Sequence, residues 1–193
     1  MRGEYEYRSE ILDLIQYRLD GMIDSYCKVL AVRFDVRFPV GYCHDGGNRE
    51  ISQLIKSLKE YYTEHSVAIH YVWVREQVSS LVPHYHVVLF VNGSRIQDAR
   101  GIWSKAQDIW SRITGGPNGL IHHCWPGYQD HTGIGGIMIR RPSGRAVAEE
   151  ALPRQQQFEA AKQAAIEQAA YLAKTYSKGN TPYRVREYGA SQL

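Results

Sequence analysis

Cysteine, long apolar runs and net charge are all scarce in this chain, and each shortage removes a class of protein. The three cysteines, Cys27, Cys43 and Cys124, are odd in number and widely spaced, with no C-x-x-C pair in 193 residues. Neither a disulfide framework nor a cysteine zinc site is indicated, and a reducing compartment suits them. No apolar run approaches the roughly 20 residues of a membrane-spanning helix. The opening Met1-Arg2-Gly3-Glu4-Tyr5-Glu6 lacks the apolar core of a signal peptide. A cytoplasmic protein with no membrane partner is therefore expected, in a bacterial or phage-infected cell. The formal charge of +3 is too small to argue a nucleic-acid partner by itself. Repeats are absent, and the only biased run is the Gln/Ala-rich one at 155–170. The length predicts a single globular domain able to bury a core, with an N-terminal helical arm over 1–27 and the main unit over 28–193.

What the chain does contain is Pro83-His84-Tyr85-His86-Val87-Val88-Leu89-Phe90-Val91, two histidines opening an apolar run. Side chains alternate along a strand, so His84, His86, Val88 and Phe90 share a face while Tyr85, Val87, Leu89 and Val91 point the other way. Two imidazoles one strand-step apart can share one ion. A histidine pair in a strand is more often a half-buried polar face, so the reading depends on what accompanies it.

Around this strand the hydrophobic period changes repeatedly. Ile11, Ile15, Leu19, Met22 and Tyr26 follow helical spacing. From Lys28 to Phe38 the period is two, with Leu30, Val32, Phe34, Val36 and Phe38 on one face and Val29, Ala31, Arg33, Asp35 and Arg37 on the other. Asn48 is a candidate N-cap for a helix turning Ile51, Leu54, Ile55, Leu58 and Tyr62 inward. Residues 67–76 read as a strand ending at Glu76, and Ile102, Ala106, Ile109, Trp110 and Ile113 as a further helix that stops near Gly115. Short strands are expected within 120–125 and 134–140. A last helix is expected with Pro153 in its first turn and a stop at Gly179. Its small-residue seam, Phe158, Ala161, Ala165, Ala169, Leu172 and Tyr176, leaves Tyr171 on a polar flank with Lys174 one turn on.

An apolar strand opening with His-x-His, an acidic residue on a neighbouring strand and a late Tyr171-Leu172-Ala173-Lys174 together resemble the HUH endonucleases. The similarity spans residues 28–178 and is nearest to the rolling-circle replication initiators of filamentous phages and related prophage proteins. The single motifs are weak, and their ordered combination is specific. The resemblance implies an α+β fold: a ferredoxin-like, RRM-like antiparallel sheet with helices packed on one face and the site on the other, preceded here by the N-terminal helix. It implies His84 and His86 as the metal pair, Tyr171 as nucleophile and Lys174 as its companion. The expected activity is cutting and rejoining single-stranded or hairpin DNA through a covalent 5′-phosphotyrosine. Many phage initiators carry two tyrosines four apart, whereas Tyr176 follows Tyr171 by five, which favours one nucleophile. No P-loop pattern is present, so unwinding would fall to a host helicase.

The chemistry asks for these residue types. Neutral imidazoles plus a carboxylate form a mixed N/O set suited to Mn²⁺ or Mg²⁺ rather than to a closed zinc site. Glu76 is the preferred carboxylate and Asp35 its rival. Tyrosine needs its phenolate stabilised, and the ion and Lys174 are the available cations. Arg33, Arg37, Arg140 and Arg141 are the expected backbone contacts to DNA. His44, His65, His70, His122, His123 and His131 read as surface or strand histidines, with at most one of His122 and His123 able to face the site. Tryptophans at helical spacing read as core rather than base-stacking. Two other classes stay open: a non-catalytic nucleic-acid-binding module with an RRM-like sheet, and a metal-dependent hydrolase of small phosphate compounds.

Overall fold

Runs of period two become strands and three/four-spaced runs become helices, in the order the sequence predicts. The computed structural model describes residues 6–77, 80–124, 133–143, 148–175 and 181–192. Its elements are α1 (Ser9–Ser25), β1 (Lys28–Val36), α2 (Arg49–Glu64), β2 (Ile69–Glu76), β3 (His84–Asn92), α3 (Arg100–Thr114), β4 (Ile121–His123), β5 (Ile137–Arg140), α4 (Ala148–Ala170), a 3-10 turn (Tyr171–Ala173) and β6 (Tyr188–Ala190). Trp125, His131, Tyr176, Lys178 and Gly179 lie outside the described residues.

One antiparallel sheet runs in the order β4-β1-β3-β2-β6, with β5 also on β1. Within it, β1-α2-β2-β3-α3-β4 has the spatial order 4-1-3-2 of a ferredoxin-like unit, so the expected α+β class holds. β4 pairs with Phe34–Val36 and β5 with Lys28–Ala31 along the same edge of β1, as one strand interrupted by an excursion. At its return a Cβ on Gly136 would stand 2.7 Å from the Ala31 carbonyl oxygen, so only glycine allows the approach. The strand β6 went unread because it is three residues long and centred on Gly189, where a Cβ would meet the Trp73 indole.

Two apolar layers sandwich the sheet. On one face Leu30, Val32, Phe34, Val87, Leu89 and Val91 pack against α2 and α3 through Leu54, Leu58, Ile102 and Trp110. On the other, Val29, Ala31, Val72, Val74, Val88 and Phe90 meet α1 and α4 through Ile15, Leu19, Met22 and Ala169. Helices therefore lie on the expected face, and α1 and α4 also cover much of the second face, which the resemblance left to the site. The helix expected as an arm is part of this second core, with Ile11, Ile15, Leu19 and Met22 fully buried. At about 1.5–3 kcal/mol for each large apolar side chain, that burial far exceeds what a detached arm would gain. Trp103 and Trp110 are core, as their helical spacing predicts.

The last helix departs from expectation at both ends. It starts at Ala148, so Pro153 lies inside it and leaves the Glu149 carbonyl without its helical donor. It ends at Ala170 rather than continuing, because the following residues pair with the N-terminal segment: Arg8 N–H donates to the Ala173 carbonyl (2.8 Å) and Thr175 N–H to that of Glu6 (3.1 Å). Lys174, bridged to Tyr7, is extended at φ −59° and ψ 134°. The helical phase used to set Tyr176 on the seam thus stops at Ala173. Among the described residues no helix is long and apolar enough to cross a membrane.

A candidate metal and tyrosine site

Along the α1/α4 face, the three central strands change from apolar to polar at one level. β1 passes from Val29 and Ala31 to Arg33 and Asp35, β3 from Phe90 and Val88 to His86 and His84, and β2 from Val72 and Val74 to Glu76. The register sets Glu76 opposite His84 and Asp35 opposite His86. Directly opposed residues share a sheet face, so all of these polar side chains gather at one end of that face, past the apolar layer of α1 and α4.

The two carboxylates that compete in the sequence take different positions. Glu76 Oε2 lies 2.9 Å from His84 Nε2 and also hydrogen-bonds His86 Nε2. Asp35 Oδ1 accepts from His86 Nδ1 at 2.7 Å. Donor atoms of Glu76, His84 and His86 all fall within 4.8 Å of one another, and their mixed N/O character fits a divalent ion. Asp35 grips the far nitrogen of His86, the position of a carboxylate that orients a metal-bound imidazole. Glu76 is thus the carboxylate among the converging donors, and Asp35 stands behind His86.

The electrostatics follow from burial. His86 is only 2% exposed, which opposes its charge, yet hydrogen bonds to Asp35 and Glu76 prevail and raise its pKa above the usual imidazole value. Burial likewise works against the Asp35 carboxylate, but His86 and Arg33 hold it below its ordinary range. His84 Nε2 and His86 Nε2 both point at Glu76 Oε2, the direction in which a cation would lie. Burial pushes the nearby Cys124 thiol up to about 12, so it offers no thiolate at neutral pH.

Tyr171 belongs to the same cluster. Its ring centroid is 5.1 Å from that of His86, nearly edge-on at 79°. The Arg33 guanidinium carbon lies 3.9 Å from that centroid and Lys174 Nζ 4.4 Å, so two cations flank the phenol. Burial, with the Arg33 charge beside it, lowers the Lys174 pKa. The turn following α4 keeps Lys174 near Tyr171 although the helix itself has ended.

The predicted backbone contacts do not share one open face. Arg33 has a side chain only 12% exposed and pairs with Asp35 at 3.3 Å, so it belongs to the cluster. Arg37 is exposed just past β1. Arg140 pairs with Lys28 in the register, which puts it on the other side of the sheet from Arg33. The Arg141 guanidinium donates to the carbonyls of Ile23 and Asp24 at 3.1 and 3.2 Å, closing the C-terminus of α1. His122 lies across from Asp35 on the site face, while His123 is on the reverse, stacked on Trp103 at 4.3 Å. His70 bonds the Ser191 hydroxyl, remote from the ion donors. Sequence reasoning missed the place of Arg33 against Tyr171; its one signal was that Arg33 shares the face of Asp35.

The chain matches no curated protein and no solved structure. It does match the YagK/YfjJ C-terminal domain over residues 1–117, a span from α1 to just beyond α3 that includes Asp35, Glu76, His84 and His86 and stops short of Tyr171. More than half of the sequence lies within that match, and the chain belongs to the YagK/YfjJ C-terminal domain family.

Proposed function

We propose that this protein is a metal-dependent endonuclease and strand transferase of the HUH type, acting on single-stranded or hairpin DNA as rolling-circle initiators do. The observation that carries the reading is a tyrosine ring packed against the His86 member of a His-His-Glu donor set, 5.1 Å between centroids, with two cations on its flanks. His84, His86 and Glu76 would hold Mn²⁺ or Mg²⁺, with Asp35 orienting His86. When bound, such an ion supplies Lewis acidity at the non-bridging oxygens of the scissile phosphate. Arg33 and Lys174 stabilise negative charge developing on the phenol oxygen by Coulomb attraction. The Tyr171 hydroxyl gives up its proton to solvent and its oxygen attacks phosphorus as the 3′ oxygen departs, so one oxygen–phosphorus bond forms as another breaks. The 3′ oxygen takes up a proton, and the phosphotyrosine retains the bond energy needed for rejoining. A host helicase would supply unwinding.

The experiment is incubation with labelled single-stranded oligonucleotides and Mn²⁺, followed by a denaturing gel. Wild type should give a slow-migrating protein–DNA adduct with DNA joined at Tyr171, and Tyr171→Phe none. An adduct mapped elsewhere would overturn the nucleophile. Its complete absence in wild type would move the protein to the non-catalytic nucleic-acid-binding class.

A further inference from the structure

We infer that Arg33 is the positioning residue for Tyr171, a clamp through which a single carboxylate, Asp35, orients both the metal-ligand histidine and the nucleophile. The inference rests on the function proposed above and goes beyond it, since there Arg33 acts only as a nearby charge. Asp35 Oδ1 meets His86 Nδ1 at 2.7 Å and Arg33 Nη2 at 3.3 Å. The same guanidinium then lies over the Tyr171 ring, its carbon 3.9 Å from the centroid. Asp35–Arg33–Tyr171 and Asp35–His86 are therefore two arms from one anchor, and they meet again where Tyr171 contacts His86.

Three features separate this role from a backbone phosphate contact or a packing arginine. The side chain is only 12% exposed, too enclosed to track a DNA strand across the surface. Its Nε is buried with no hydrogen-bond partner among the described residues, a cost that an arginine kept only for the fold would be expected to avoid. Finally, a planar guanidinium can pair at its edge and stack on its face together, whereas an ammonium cannot. Tyr171 opens a 3-10 turn just past the end of α4, with its carbonyl accepting from Lys174 N–H at 3.4 Å, and the guanidinium adds a side-chain anchor to that backbone turn.

The test measures single-turnover cleavage of an oligonucleotide at saturating concentration, together with oligonucleotide affinity, its salt dependence and Mn²⁺ affinity. Arg33→Met should slow the saturated rate by about 100-fold, the scale of a misplaced nucleophile, and leave both affinities near wild type. Arg33→Ala should recover activity on addition of guanidinium ion at concentrations far below those that unfold the protein, and not with sodium chloride at equal ionic strength. Arg33→Lys, which keeps charge and fold, should remain slow. Full activity in Arg33→Lys would overturn the clamp. So would an unchanged saturated rate in Arg33→Met accompanied by weaker, less salt-dependent DNA binding.

A second readout separates failure of the clamp from failure of the proposed function. With 3-fluorotyrosine at all 14 tyrosines and the Tyr171 line assigned by Tyr171→Phe, Arg33→Met should shift that ¹⁹F resonance. If wild type forms no DNA adduct, the endonuclease reading fails while a shifted line still supports the clamp. An unmoved line overturns the clamp whatever the activity.

Discussion

Each histidine has a different neighbourhood, and its behaviour follows from that. His84 and His86 face Glu76, so Mn²⁺ titration by calorimetry should show one site in wild type and none in the His84→Ala/His86→Ala double variant. Asp35→Asn should keep the site and weaken it by about 10–100-fold, as loss of an orienting carboxylate does. Normal binding in Glu76→Gln with none in Asp35→Asn would exchange their roles. His70 titrates under other forces: burial first, then the charges of Arg18 and Lys59, hold its pKa below the usual value. A depressed folded pKa contributes stability that is present above the unfolded value of about 6.5 and is lost as pH falls through the folded value. Urea unfolding at about pH 7.5 and about pH 5 should therefore show a smaller acid loss in His70→Gln than in wild type, because glutamine can bond Ser191 without titrating. Equal losses would mean that His70 is neutral to folding. The shared face of His84 and His86 was legible from the period of a strand alone. The choice between Glu76 and Asp35 was not, because it depends on which nitrogen of His86 each carboxylate reaches.

At the scale of elements, α1 and the end of α4 matter most. Because Leu19 is fully buried between α1 and the sheet, Leu19→Ala should lower unfolding free energy by about 2–5 kcal/mol in urea. A loss below about 1 kcal/mol would be the mark of a detachable arm. The amphipathic pattern of α1 was plain in the sequence, yet a pattern states that a face is buried and not what buries it. At α4, alanine and glutamine carry strong helix propensity onward, and propensity loses to the pairing of Glu6 and Arg8 with residues 173–175. A long-range backbone bridge leaves no local signal. Asn48 shows the same limit: it holds the N-cap position of α2 as expected, but its side chain serves Arg75, Tyr85 and the Arg186 carbonyl instead of the helix.

Over the whole molecule, the expected arginine donors divide into different environments. If single-stranded DNA binds through its backbone, affinity should fall with salt, and removing the exposed Arg37 should reduce the slope of log K against log salt by about 0.7 units. Arg37→Ala should then weaken all sequences about equally. Arg141→Ala should instead lower thermal stability, because its guanidinium closes α1. Binding unaffected by salt in every variant would remove the backbone model.

Sequence alone determined the types of the α-helices and the longer strands, the hairpin joining Glu76 to His84, and the shared face of His84 and His86. These depend on periods of two and 3.6 and on short connections, which are local properties. Only the tertiary structure decided that helices cover both faces, that Asp35 stands behind His86, and that Arg33 lies on Tyr171. Those facts arise where β1 settles beside β3 and where a segment more than 160 residues away in sequence stops α4 at Ala170, short of the expected Gly179. Contacts of that separation are selected by the burial of whole faces, and no window of neighbouring residues contains them.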